Sequence, residues 1–126
     1  LSAAGGVDWK RTFLIPGFFH ESLTQKVIVN HRIRKVGVAL IDCDLYSSTR
    51  QVLRFLLPRL QHGMILAFDD YYCYSSQQPS GERLAAAELV RENPAWRLLP
   101  YVQFGWHGMS FIVERANAAG SHESHW

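Results

Sequence analysis

The chain has 126 residues, the size of one domain, and 48% of them are hydrophobic, enough for a real core and far from the composition of a disordered chain. Its net charge of +2 names no partner class, and its basic residues are scattered rather than gathered in a run, which argues against nucleic-acid binding. No apolar stretch approaches the ~20 residues of a membrane helix and the start carries no signal-peptide pattern, so the reading is a cytoplasmic protein with no membrane partner.

Residues 1–6 are expected to be a flexible lead-in, and the opening Leu-Ser-Ala-Ala, in place of Met, suggests a portion of a longer protein. "TFLIPGFFHESL" is a short apolar run broken by the turn signal Pro16-Gly17, and "ESLTQKV" predicts a short helix. Residues 30–35 are polar and basic and read as a connection. Val36 to Ile41 is continuous and rich in β-branched residues, which predicts a strand buried on both faces, as in a parallel sheet. Ser47 or Ser48 is the expected N-cap of the next helix, whose apolar face is Val52, Leu53, Leu56, Leu57 and Leu60. Pro58 should bend or shorten the end of that helix, and Gly63 stops it.

Met64 to Phe68 predicts a second buried strand, followed by a polar, aromatic loop from Tyr71 to Ser80. Ser80 is placed to cap a helix over 81–92 that Asn93-Pro94 ends. Trp96 to Phe104, a turn at Gly105 to Gly108, and Met109 to Glu114 predict an antiparallel hairpin. The order is strand, helix, strand, helix, strand, strand. It predicts an α/β fold with an open, mostly parallel sheet ending in one antiparallel strand, a catalytic unit over 1–115 and a frayed tail over 116–126. Cys43 and Cys73 form no disulfide framework and read as reduced thiols, and no CxxC or His pair has zinc-ligand spacing.

Both buried strands end on acid. "ALIDCDLYSST" runs into Asp42 and Asp44, and "MILAFDDYY" into Asp69 and Asp70. In a β-α-β unit these endings share one edge of the sheet, and neighbouring strands lie roughly 4.8 Å apart. Ligands of such sheets bind outside the carboxyl ends of the strands. Clustered carboxylates repel, so at least one should hold a raised pKa unless a cation compensates. An all-oxygen set suits Mg²⁺, with Mn²⁺ and Ca²⁺ also open. Asp is also a common turn and cap residue, and Asp44 stands open between a turn role and a site role. His20, His31, His62 and His107 are spread out and read as surface or turn residues, with His107 an outside candidate for the site.

The stretch "LIDCDLYSSTRQVLRFLLPRLQHGMILAFDDYY" resembles the macrocin-type O-methyltransferases, which methylate sugar hydroxyls. Asp42, Asp44, Tyr46, Ser48, Thr49, Pro58, Leu60, Asp69, Asp70 and Tyr71 occupy the places of that family's pattern, and "PGFFHESL" resembles its Gly-x-Phe segment. The resemblance implies a class I methyltransferase with a Rossmann-like sheet, S-adenosylmethionine and Mg²⁺. Its metal ligands here would be Asp42, Asp69 and Asp70. Asp42 would also accept the acceptor hydroxyl's proton, and it is the one cofactor-binding candidate in the chain. Tyr46, Tyr71 and Tyr72 are candidates for lining the pocket of a small-molecule or sugar acceptor, ordinary packing being the other reading.

The chain departs from the family in two places. The usual Gly-Gly turn reads Gly63-Met64, and no G-x-G-x-x-G follows a strand to open a helix. The expectation is therefore the C-terminal half of a catalytic domain, with activity of this stretch alone open and a homo-oligomer left open as well. Two rivals are a haloacid-dehalogenase-type phosphatase and a non-catalytic truncated α/β domain. Against the first, only one helix separates the acidic endings and no Lys lies between Asp44 and Asp69.

Overall fold

The computed structural model describes residues 6–75 and 77–116. Residues 1–5 of the lead-in expected over 1–6, and residues 117–126 of the tail expected over 116–126, lie outside the described residues. Two short helices come first, α1 (Phe19–Ser22) and α2 (Gln25–Asn30), where the sequence predicts one. They are followed by β1 (Val38–Ile41), α3 (Tyr46–Leu56), a 3₁₀ turn (Leu57–Arg59), β2 (Ile65–Phe68), α4 (Gly81–Glu92), β3 (Trp96–Phe104) and β4 (Gly108–Arg115). No described helix is long and apolar enough to cross a membrane.

The four strands form one mixed sheet in the order β1-β2-β4-β3. β1 and β2 are parallel, with Val38 opposite Ile65 and Ile41 opposite Phe68. β4 is antiparallel to both β2 and β3 and lies between them. Three strands thus point one way, but two of the three paired neighbours are antiparallel, so the sheet is not mostly parallel in its pairing. The cause is topological. The tight turn at 105–107 returns β4 beside β3, and β4 then fills the position next to β2.

The core sits on one face of this sheet. Leu66, Phe68, Phe111 and Val113 from the strands meet Leu53 and Leu56 of α3 and Ala85, Ala86 and Leu89 of α4 in one buried cluster. Burying a side chain such as Leu66 or Phe68, each with no exposed area, contributes about 1.5–3 kcal/mol. The opposite face is open among the described residues: Val38 is 67% and Leu40 63% exposed. The expectation of a first strand buried on both faces is therefore corrected. An unbroken apolar run does not say how many faces are covered, because it reads the same on a one-sided and a two-sided sheet.

Two local expectations also change. Helix α3 begins at Tyr46 with Leu45 at the N-cap, so neither Ser47 nor Ser48 caps it. Thr49 instead turns inward, fully buried, and donates its hydroxyl to the Leu45 carbonyl at 2.8 Å. Ser80 does occupy the N-cap of α4, but its side chain makes no capping bond and its buried hydroxyl has no partner among the described residues. Pro58 acts as expected: the α-helix gives way at Leu57 to the 3₁₀ turn that carries it.

Candidate metal centre

Parallel pairing of β1 and β2 brings their acidic endings together. The register that sets Ile41 beside Phe68 continues one bond further, since the Asp69 amide donates to the Ile41 carbonyl at 2.9 Å. Past that bond both chains turn away from the sheet. Asp42, Asp69 and Asp70 then each place one carboxylate oxygen within 4.8 Å of the others. The three residues named from sequence as metal ligands are thus assembled by the two strands and the helix between them.

The charges respond to this crowding. The Asp69 carboxylate holds the Asp42 carboxyl above its ordinary range, reinforced by some loss of hydration and a hydrogen bond between the two, with the Asp70 charge adding to it. Asp44 is raised chiefly by a hydrogen bond to Asp70 and by the Asp70 charge. Asp70 moves the other way, lowered by hydrogen bonds from Asp44 and from the Cys73 thiol, the latter at 3.0 Å. The same contact pushes the Cys73 thiol up to about 11, with burial and nearby acids adding. Crowding thus raises the Asp42 and Asp44 carboxyls and lowers that of Asp70.

Asp44 stands both in the turn and beside the acids. Its backbone is left-handed at φ 59°, a conformation that short polar side chains tolerate, so it makes the turn out of β1. Its carboxyl also reaches Asp70. His107 is likewise at the site: its ring Nδ1 hydrogen-bonds the Asp69 carbonyl, and its own carbonyl accepts the Tyr72 amide at 3.0 Å. The β3–β4 turn is thereby tied to the acidic loop. Cys73 and His107 also gather around Asp70 with ligand atoms within 4.8 Å, a mixed grouping that linear spacing did not reveal.

The tyrosines divide. Tyr46 donates its hydroxyl to Glu88 of α4, where Arg50 also pairs with Glu88 and Glu92 at 3.4 and 3.1 Å, so its hydroxyl serves a helix-to-helix link. Tyr71 is half-buried against Phe68 and Phe111, with ring centroids 5.7 and 5.3 Å away, and burial raises its hydroxyl pKa. That is the packing reading. Tyr72 borders a cleft of about 410 Å³ with Tyr74, Ser75, Gln103 and Trp106. A second, mostly apolar cleft of about 300 Å³ has Asp42 and Cys43 on its wall with Phe19, Leu23, Leu40, Ile41 and Val52.

The residue that sequence reasoning missed is Glu82. It has no exposed area, and its carboxylate accepts the backbone amides of Asp70 at 2.9 Å, Asp44 at 3.2 Å and Cys43 at 3.3 Å. Burial raises its pKa, and the three amides oppose that shift. One signal was available. Glu82, Ala85, Ala86 and Leu89 fall at i, i+3, i+4 and i+7, the buried stripe of α4, so an acid stands where the helix period calls for a core residue.

Among solved structures, the O-methyltransferase NovP shares this fold with a TM-score of 0.60 and 24% sequence identity, over 80% of this chain. The match covers 37% of NovP, so the chain spans little more than a third of that protein's length. No curated protein matches the chain. The family model of macrocin-O-methyltransferase (TylF) matches residues 6–93, from before the first helix through the whole acidic site and α4. The chain belongs to the macrocin-O-methyltransferase family.

Proposed function

We propose that this chain forms the metal side of the active site of an S-adenosylmethionine-dependent O-methyltransferase, which uses a divalent cation, Mg²⁺ first, to methylate a hydroxyl of a small molecule or sugar. The observation that carries this reading is the convergence of Asp42, Asp69 and Asp70 within 4.8 Å at the carboxyl ends of two adjacent parallel strands, in a chain of a methyltransferase family. The donor set fits the ion. It offers only carboxylate oxygens, which a hard cation prefers, and the raised pKa of Asp42 marks negative charge in excess of what the protein compensates. When bound, such a cation supplies positive charge that makes a coordinated hydroxyl more acidic.

The residues of the chain divide the remaining work. Asp69 and Asp70 hold the cation. Asp42, the most exposed of the three, also takes the hydroxyl's proton as the acceptor is methylated. Fixed placement of the acceptor beside these acids supplies much of the rate. The aromatic cleft at Tyr72 and Trp106 is the acceptor side in this reading. The methyl donor belongs to the family's chemistry. The residues described here do not build its cradle, since none of their glycines forms a glycine-rich loop between a strand and a helix, and no step is assigned to it. We read the chain as the C-terminal part of a larger catalytic domain, in keeping with its coverage of 37% of NovP.

The test is the double variant Asp69→Asn with Asp70→Asn in the intact protein. Mg²⁺ binding and methyl transfer should both be lost. Undiminished metal-dependent methylation by that variant would sink the assignment.

A further inference from the structure

We propose that Glu82 is a positioning residue of the cation site, the buried carboxylate that sets the spacing of the two acid-bearing loops. The inference rests on the metal-site reading above and names what builds it. The loop after β1 carries Asp42, Cys43 and Asp44; the loop after β2 carries Asp69 and Asp70. Beyond the Asp69-to-Ile41 bond the ladder ends, and the sheet no longer fixes one loop against the other. Glu82 takes over there. One carboxylate oxygen accepts the amides of Cys43 and Asp44, and the other accepts the amide of Asp70. A single rigid planar group thus spans both loops, with each oxygen assigned to one of them.

The side chain reaches this point from the first turn of α4 because Gly81 lies against the same loop. Gly81 has φ +54°, and a Cβ there would stand 3.3 Å from the Asp44 carbonyl and 2.6 Å from the Tyr74 ring. Glu82 has a carboxylate oxygen within 4.8 Å of ligand atoms of Asp44 and Asp70, but it is fully buried and both its oxygens are taken by backbone amides, so it is assigned to support rather than to ligation. Outer groups of this kind orient ligands, and replacing them costs about 10–100-fold in metal affinity or activity. Gln is isosteric with Glu but replaces one acceptor oxygen by an NH₂ donor. That group would face an amide N–H, so one of the two loops is released. Asp is one methylene too short to span both.

The experiment measures Mn²⁺ affinity by electron paramagnetic resonance in the intact protein, for wild type, Glu82→Gln, Glu82→Asp and the Asp69→Asn/Asp70→Asn pair, with melting curves alongside. Glu82→Gln should remain folded and bind Mn²⁺ about 10–100-fold more weakly. Saturating Mn²⁺ should then restore most of the methyl-transfer kcat. Wild-type affinity in a folded Glu82→Gln protein, whatever its melting temperature, overturns the proposal and leaves the metal-site reading standing. Equal Mn²⁺ binding by wild type and the double Asn variant overturns both. If both Glu82 variants fail to fold, amide exchange in the wild type decides. The Cys43, Asp44 and Asp70 amides should be protected and slow further on Mg²⁺ saturation. Exchange at exposed-loop rates, unaffected by Mg²⁺, refutes the proposal.

Discussion

Gly81→Ala is the sharpest probe of how the site is held. Gly81 adopts φ +54°, where a Cβ costs about 1–2 kcal/mol. The methyl also restricts the unfolded chain, which returns about 0.4–1 kcal/mol. The 2.6 Å contact with the Tyr74 ring is relieved cheaply, because Tyr74 is exposed and can swing aside. The 3.3 Å contact with the Asp44 carbonyl is against backbone and is relieved only by moving the loop that holds the acids. The net expectation is a loss of about 1 kcal/mol. In urea, with m of about 1–3 kcal/mol per molar, the midpoint should fall by roughly half a molar at unchanged m. Gly81→Asn should lose less, since Asn tolerates the left-handed region. Metal affinity should fall in the Ala variant too, because the Asp44 loop and Glu82 move with it. An Ala variant as stable as wild type at unchanged m would refute the argument from backbone conformation.

Other expectations follow from the crowded acids. Asp42 binds its proton more tightly folded than unfolded, so its contribution to stability is full in acid and is lost as pH rises from 3.8 through the raised folded value; Asp70, lowered, runs the opposite way. Asp42→Asn should therefore raise the melting temperature of the metal-free protein at neutral pH and, in the proposed metal site, remove stabilisation by added Mg²⁺; a lower melting temperature would contradict the crowding. Cys73 should alkylate slowly at pH 8, with half-maximal reactivity near its value of about 11, and Asp70→Asn should bring it down, as peptide mapping by mass spectrometry would show. Cation binding at the proposed site should displace protons from Asp42 and Asp44 over the pH range above 3.8 opened by their raised values. Calorimetry in buffers of different ionisation enthalpy would detect that release, and its absence throughout the range would mean that no proton is shared there.

Much of the fold was legible because its signals are local. The α4 range 81–92 and the β3 range 96–104 follow from a cap position, an Asn-Pro stop and a tight hairpin turn. The acidic triad was legible because parallel topology alone brings two strand ends to one edge. What escaped depends on packing between distant segments. The placement of β4 between β2 and β3 is a choice of sheet order that no local pattern encodes. Burial of β1 on one face, with Val38 and Leu40 open, depends on what covers the sheet and not on the strand. Tyr46 was drawn toward the acceptor pocket by its place in the motif, while helix geometry turned its hydroxyl to Glu88. Glu82 lies 12 positions beyond Asp70, whose backbone it touches, so only the folded chain shows the contact; His107, an outside candidate from sequence, sits 38 positions beyond Asp69 and meets its carbonyl.

The two kinds of acid at this site do opposite things. Asp42, Asp69 and Asp70 crowd their carboxylates within 4.8 Å at the sheet edge, and their mutual repulsion raises the Asp42 pKa. Glu82 faces inward, where three backbone amides meet its charge. A carboxylate so placed cannot serve the acceptor, but it can make the position of the others independent of whether a cation is bound. The repulsion is then not relieved by the loops drifting apart. It persists as negative charge at a fixed place, the preorganisation that the proposed metal site would need.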